Sequence, residues 1–260
     1  MQHHEDTIEG YVGTVSSRPE VVGVVVIGSV ARGTPRQDSD VDVYLVVTDE
    51  AYADGRSRGR VAAVSQDGVT YPGGYVDIKL ASPGYLSAAA ERADDPTRAS
   101  FLGARVAFDR IGELPDRIAG ITTLPEEAWA RRVTAHRAQT RLYGAYFLEQ
   151  ADQLRDPFLL QHSAVHLALA AGRAALAASH RFFAGQKYLT AALAELDLPE
   201  DFRTAWQHVV GSPSAAAGRL LLEALDGWLG DPEPFDAELS RFISDNELAW
   251  LNRTVPPEFW

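Results

Sequence analysis

The spacing of apolar residues changes once along the chain. Up to about residue 118, short apolar runs alternate with more polar segments. Four of these runs are rich in valine, isoleucine and aromatic residues and are predicted as strands: residues 21–28, 41–47, 75–81 and 105–110. The segments between them, such as Tyr85 to Ala93, are predicted as helices. This alternation indicates an α/β fold for the first half.

After Pro125 the chain has long stretches rich in alanine and leucine, with apolar residues spaced three and four apart. Residues 128–149 and 159–179 are the longest of these stretches. Shorter helices are predicted over residues 191–196, 200–210, 214–229 and 233–246, separated by Gly- and Pro-containing turns. The second half is therefore predicted to be an all-α helical bundle.

The boundary between the halves is predicted within the segment ITTLPEE. Thr123 is a candidate N-cap, and Pro125 suits the first turn of a helix. Glu126 and Glu127 would favour the positive end of that helix dipole. We therefore expect two domains, residues 1–120 and residues 121–260.

Composition narrows the possible chemistry. The chain has no cysteine, which excludes disulfides, thiolate metal sites and cysteine nucleophiles. The sequence contains no apolar run long enough for a membrane helix, and its polar start does not resemble a signal peptide, so a cytoplasmic location with no membrane partner is expected. The oligomeric state is left open between monomer and homodimer.

The formal net charge of −12 bears on partners. A surface this acidic repels a phosphate backbone, so long nucleic acid is not the expected partner. The same field would attract a cationic small molecule. An acidic surface is also a common route to solubility, so both explanations remain open.

Candidate chemistry is concentrated in VVVIGSVARGTPRQDSDVDVYLVV, residues 24–47. Gly28 lets the backbone approach a phosphate because it has no side chain, and the helical turn after it would offer N–H donors, with the Ser29 hydroxyl beside them. Asp40 and Asp42 are two residues apart at the start of a strand, which places both carboxylates on one face. Magnesium fits such a pair, because it takes oxygen ligands and completes its shell with water and phosphate.

Asp77 lies in the apolar strand at residues 75–81, where a lone carboxylate is costly. A metal site shared with Asp40 and Asp42 would give it a partner. Three carboxylates can hold two metal ions, and a two-metal site suits in-line displacement at phosphorus.

These motifs resemble those of the DNA polymerase β-like nucleotidyltransferases. GSVARG, then SDVDVYLVV, then a strand carrying Asp77 are similar to the signature of that superfamily, in the form found in minimal and antibiotic nucleotidyltransferases. The resemblance covers roughly residues 20–110. It implies a short twisted mixed sheet with helices on one side, followed by a helical domain that closes one wall of the site, as in aminoglycoside adenylyltransferases.

The resemblance also implies roles for individual residues. Asp40 and Asp42 would hold two magnesium ions, and Asp77 would be either a further ligand or the general base. Gly28 and Ser29 would hold the triphosphate of ATP or another NTP, the donor substrate. Ser39, which directly precedes Asp40, belongs to the SDVDVYLVV motif and is counted with the nucleotide-binding residues.

Three basic residues are further candidates. Arg32 either contacts phosphate or pairs with Asp38 or Asp40. Only two of the 24 basic residues are lysines, Lys79 and Lys187, so each is a candidate for a specific role. Lys79 lies two residues from Asp77, and Lys187 precedes Tyr188 at a predicted helix start, where the family often has a lysine that reaches the triphosphate. The alternative is that both are ordinary surface lysines.

The expected reaction moves a nucleoside monophosphate, AMP if the donor is ATP, to a hydroxyl of a small aminoglycoside-like molecule and releases pyrophosphate. One alternative is a nucleotidyltransferase that modifies a protein or a tRNA, as in toxin–antitoxin systems. Another is a non-catalytic binding module that keeps the fold. The helical pair His162 and His166 has no evident third metal ligand, and we expect it to form hydrogen bonds between helices. His3 and His4 are expected in a solvated terminus.

Overall fold

The computed structural model describes all residues from 1 to 260, and the chain divides into two compact units, Met1–Leu124 and Pro125–Trp260. The division therefore falls after Leu124 and not after residue 120. Ile118 and Ile121, on the last helix of the first unit, are buried in that unit's core. Thr123 ends this helix instead of capping the next one, and its hydroxyl donates to the Ala119 carbonyl over 2.9 Å.

The N-terminal unit contains a five-stranded mixed sheet in the order β3-β4-β2-β1-β5. Strands β2 and β4 are parallel, and the other pairs are antiparallel, which confirms the predicted mixed sheet. β3 was not predicted. It has only four residues, none of them buried, and they do not alternate between apolar and polar. The strands are β1 Val21–Val26, β2 Val41–Val47, β3 Ala62–Ser65, β4 Val76–Ala81 and β5 Arg105–Asp109.

Helices of this unit cover both faces of the sheet. They are α1 Gln2–Val15, α2 Gly28–Ala31, α3 Asp49–Ser57, α4 Pro83–Arg92, α5 Asp95–Ser100 and α6 Leu114–Thr122. Ile8 and Tyr11 of α1 pack on one face, and Leu86 of α4 with Leu114 and Ile118 of α6 pack on the other. The expectation of helices on one side is therefore wrong. Every residue of β1 is buried, so both faces of the sheet need a cover.

The C-terminal unit is helical, as predicted. Its α-helices are α7 Glu126–Arg141, α8 Leu148–Leu154, α9 Pro157–Ala178, α10 Leu189–Ala194, α11 Glu200–Gly211, α12 Ala215–Leu229, α13 Phe235–Phe242 and α14 Ala249–Asn252. π-helical segments follow α7 and α13, and 3-10 turns lie at Gln186–Tyr188 and Pro257–Phe259. The alanine-rich α9 is the centre of the core, where small side chains let α11 and α12 pack closely. None of the helices is long and apolar enough to span a membrane.

Candidate active site

Three carboxylates meet at one end of the parallel strand pair. The register of β2 and β4 sets Asp42 directly beside Asp77, so both side chains leave the same face of the sheet. Asp40 precedes β2 by one residue and lies on the same side. One oxygen from each of the three carboxylates lies within 4.8 Å of the others, and all three residues are partly exposed. The structure therefore brings together the residues predicted as metal ligands.

Burial and the negative charges of Asp40 and Asp77 disfavour ionisation of Asp42. The pKa of Asp42 is raised to about 6, first by burial and then by the charges of Asp40 and Asp77. Lys79 and Arg32 act in the opposite direction with smaller effects. A divalent cation would relieve the repulsion among the carboxylates, and an all-oxygen ligand set is the one magnesium prefers. The residues present thus fit a divalent metal site.

Gly28 has a more specific function than was predicted from the sequence. It adopts a left-handed φ of +72°, and a Cβ atom there would overlap the Asp42 Oδ2 and lie 2.9 Å from its Cγ. The Ile27 amide also donates to the Asp42 carbonyl over 2.9 Å, which holds the Gly28 turn against β2. Only glycine leaves room for the carboxylate at this position. The predicted contact between Gly28 and phosphate stays a prediction.

The other residues assigned to nucleotide binding lie on the same turn and loop. Ser29 is partly exposed, and its carbonyl accepts from the Thr34 amide over 2.9 Å. Arg32 is exposed and near enough to Asp42 to lower its pKa, while Asp38 pairs with Arg36 at 3.0 Å. The Ser39 hydroxyl accepts from the Arg36 amide over 2.9 Å, and the residue is buried. Their roles toward a nucleotide stay predictions.

The two lysines lie in different units. Lys79 is an exposed residue of β4, and its charge favours ionised Asp42. Lys187 lies in the 3-10 turn before α10, with its Nζ 4.7 Å from the ring centroid of Tyr188. The aromatic neighbour expected for Lys187 is thus in contact with it. Its role toward the triphosphate stays a prediction.

Residues around Asp40 were missed from the sequence. His4 is completely buried in α1, so the expectation of a solvated terminus is wrong for this residue. Its Nε2 lies 3.1 Å from the Ser39 carbonyl oxygen, and the Tyr71 hydroxyl donates to the same oxygen over 2.5 Å. The Tyr75 hydroxyl bonds to the Asp40 carboxylate, which raises the pKa of Tyr75. These contacts join residues more than 30 positions apart in the sequence, so no local motif predicts them.

The histidines of α9 make ring contacts, and their expected interhelical hydrogen bonds stay a prediction. The rings of His162 and His166 lie 4.3 Å apart, and His166 stacks on Tyr143 at 4.8 Å. Burial and the neighbouring His162 lower the pKa of His166. The cluster of possible metal ligands in this chain is instead the aspartate triad.

A comparison with known protein families agrees with this geometry. Residues 8–85, which contain the Gly28 turn and all three aspartates, match the family model described as nucleotidyltransferase domain. Residues 8–85 are therefore similar to a nucleotidyltransferase domain, and the match supports nucleotidyltransferase activity in general.

Among solved structures, the chain is similar to a nucleotidyltransferase-like protein from Exiguobacterium sibiricum 255-15. The two share 13% sequence identity with a TM-score of 0.49, over 96% of this chain and 79% of that one. No curated protein matches the sequence.

Proposed function

We propose that the chain transfers a nucleoside monophosphate from an NTP, with ATP as the preferred donor, to a hydroxyl group of a small molecule and releases pyrophosphate. The observation that carries the proposal is the triad of Asp40, Asp42 and Asp77 beside the Gly28 turn, within the segment that matches the nucleotidyltransferase domain. Asp42 and Asp77 are fixed side by side by the sheet, which is the rigid support that a reactive site requires.

Magnesium is the proposed cofactor, with two ions held by the three aspartates. When bound, these ions would lower the pKa of the attacking hydroxyl and neutralise charge on the leaving pyrophosphate. Asp77 is either a third ligand or the group that accepts the proton of the acceptor hydroxyl. The Ser29 hydroxyl, on the turn that begins at Gly28, and the Arg32 guanidinium, which lowers the pKa of Asp42, would bind phosphate oxygens.

The proposed acceptor is a hydroxylated, cationic molecule of the aminoglycoside type. Its support is the net charge of −12, which favours a cationic substrate over a polyanion. A protein or tRNA acceptor and a non-catalytic binding module are the alternatives that the following experiment separates.

The deciding experiment is a calorimetric titration of ATP into the full chain, with and without Mg²⁺, followed by transfer from α-labelled ATP. We expect Mg²⁺-dependent binding, and label on a member of an aminoglycoside and polyol panel. Label on protein or tRNA added in parallel would support the macromolecular acceptor. Mg²⁺-dependent binding without transfer to any acceptor would support a binding module, and no binding of ATP, GTP, CTP or UTP would contradict the proposal.

Replacing Lys187 with alanine should weaken ATP binding roughly 10- to 100-fold, because a charge-assisted hydrogen bond to phosphate contributes roughly 1.5–3 kcal/mol. Titration calorimetry with ATP and Mg²⁺ measures this change. The matched control is Arg181→Ala, which removes a cation of the same unit that pairs with Glu195 at 3.0 Å. Equal ATP affinity in Lys187→Ala and the unsubstituted chain would exclude Lys187 from the triphosphate site.

A further inference from the structure

The three aspartates are not held in the same way. Asp42 and Asp77 belong to β2 and β4, so the ladder between these strands fixes their positions. Asp40 lies outside the ladder, whose first residue pair is Val41 with Val76. Residues 34–40 have no helix or strand structure, and most of them are exposed. Asp40 therefore needs another support if it is to meet the other two carboxylates.

That support is present at the peptide before Asp40. The carbonyl oxygen of Ser39 receives two hydrogen bonds, from His4 Nε2 over 3.1 Å and from the Tyr71 hydroxyl over 2.5 Å. A carbonyl oxygen has two lone pairs, so these two donors complete its hydrogen bonding. Because the carbonyl can only accept, His4 must be the tautomer with its proton on Nε2. One donor comes from α1 and the other from the loop before β4.

The two donors are themselves fixed by packing. The His4 and Tyr71 rings meet edge to face with centroids 5.1 Å apart, and His3 lies against both rings, at 4.1 and 4.5 Å. The His3 carbonyl accepts from the Thr70 hydroxyl over 3.2 Å, which ties the Tyr71 loop to α1. A second contact holds the same segment at Gln37, two residues before Ser39. There His3 Nε2 lies 3.2 Å from the Gln37 carbonyl oxygen.

Histidine at position 4 lowers the stability of the fold, which a purely structural role does not explain. Its side chain is completely buried, and its Nδ1 has no hydrogen-bond partner. A buried polar atom without a partner costs stability, whereas an apolar residue at the same position would avoid that cost. The hydrogen bond that offsets part of this cost joins Nε2 to the Ser39 carbonyl, one residue before a carboxylate of the site.

From these contacts we infer that His4 and Tyr71 are positioning residues for the metal site, which act by holding the Ser39 carbonyl and so directing the Asp40 carboxylate toward Asp42 and Asp77. The inference rests on the proposed metal site. Groups that orient metal ligands typically change metal affinity or activity by about 10–100-fold when they are removed. His4 and Tyr71 would belong to this class without touching the ion or the nucleotide.

The test is Mn²⁺ binding to the full chain, followed by electron paramagnetic resonance, with Mn²⁺ as the probe for the magnesium site. Tyr71→Phe keeps the ring and removes only the hydroxyl, and we expect it to weaken Mn²⁺ binding about tenfold. His4→Ala should have a similar effect, and His4→Gln, which can place an amide N–H where Nε2 lies, should restore part of the affinity. Tyr11→Phe is the matched control, because it removes the hydroxyl of another buried α1 residue without reaching Ser39.

A double-mutant cycle separates positioning from general stability. If Tyr71 acts through Asp40, Tyr71→Phe should have no further effect on Mn²⁺ affinity once Asp40→Asn is present. Equal Mn²⁺ affinity in Tyr71→Phe and the unsubstituted chain would overturn the inference and leave the proposed function intact, and so would additive effects of Tyr71→Phe and Asp40→Asn. Absence of Mn²⁺ binding by the unsubstituted chain would overturn both proposals.

Discussion

Asp42→Asn should abolish nucleotidyl transfer and, at the same time, stabilise the N-terminal unit at pH 7. The loss of transfer is expected to be about a thousandfold or more, because a metal ion contributes several kcal/mol of charge stabilisation in a transition state of this kind. The gain in stability follows from the carboxylate cluster. Burial and the charges of Asp40 and Asp77 make ionised Asp42 unfavourable in the folded chain without metal.

The sign of the pH dependence follows from the pKa of Asp42, which rises from 3.8 to about 6 on folding. The folded chain binds this proton more tightly than the unfolded chain, so ionised Asp42 destabilises the fold at high pH. The cost is complete above about pH 6 and vanishes below pH 3.8. Since Asp42 is partly exposed, we discount the shift for solvent screening and expect about 1 kcal/mol, a gain of a few degrees in Tm.

Differential scanning calorimetry at pH 7 and pH 4, with and without Mg²⁺, measures these effects. Mg²⁺ should raise the Tm of the unsubstituted chain and leave that of Asp42→Asn unchanged, and the advantage of the variant should shrink at pH 4. Asp116→Asn is the charge-matched control, because Asp116 is exposed in the first turn of α6 and its loss should not raise the Tm. A lower Tm for Asp42→Asn at pH 7, or transfer within threefold of the unsubstituted chain, would contradict this account.

The parts of this site that were predictable from the sequence depend on local periodicity. Asp40 and Asp42 share a face because a strand repeats every two residues, and Asp77 was conspicuous as a charge in an apolar run. The register that sets Asp42 beside Asp77 is a contact between distant segments, and the resemblance implied only that the three aspartates share a metal site. Local pattern and motif together were therefore sufficient for the triad.

The supports of the site were not predictable in the same way. His4 lies in a polar opening segment that gives little sign of a buried helix, since two of the five buried residues of α1, His4 and Thr7, are themselves polar. Tyr71 lies in an irregular loop, and its importance comes from a bond to a residue 32 positions away. The helix cover on both faces of the sheet was missed for a related reason. A run such as VVGVVV shows that a strand is buried, and not which elements bury it.

Replacing Gly28 with alanine should reduce transfer by about a hundredfold or more, with only a modest loss of stability. A methyl group at this position overlaps the Asp42 carboxylate, which must then move away from Asp40 and Asp77. Displacement of a reacting group by about 1 Å can cost a hundredfold in rate. The backbone adds a second penalty, because φ is +72° and a residue with Cβ is strained there by roughly 1 kcal/mol.

Gly33→Ala separates the two penalties. Gly33 has nearly the same φ, +75°, but an added Cβ there meets no atom within 4 Å. It should therefore lose a similar amount of stability while retaining Mn²⁺ affinity and most of its transfer activity. Calorimetric unfolding, Mn²⁺ titration and labelled transfer on the two variants give the comparison. If Gly28→Ala and Gly33→Ala lost metal affinity equally, backbone strain would explain the effect and the steric role of Gly28 toward Asp42 would be wrong. If Gly28→Ala alone loses it, the glycine of the motif is required by the metal ligand beside it, whether or not its backbone also binds phosphate.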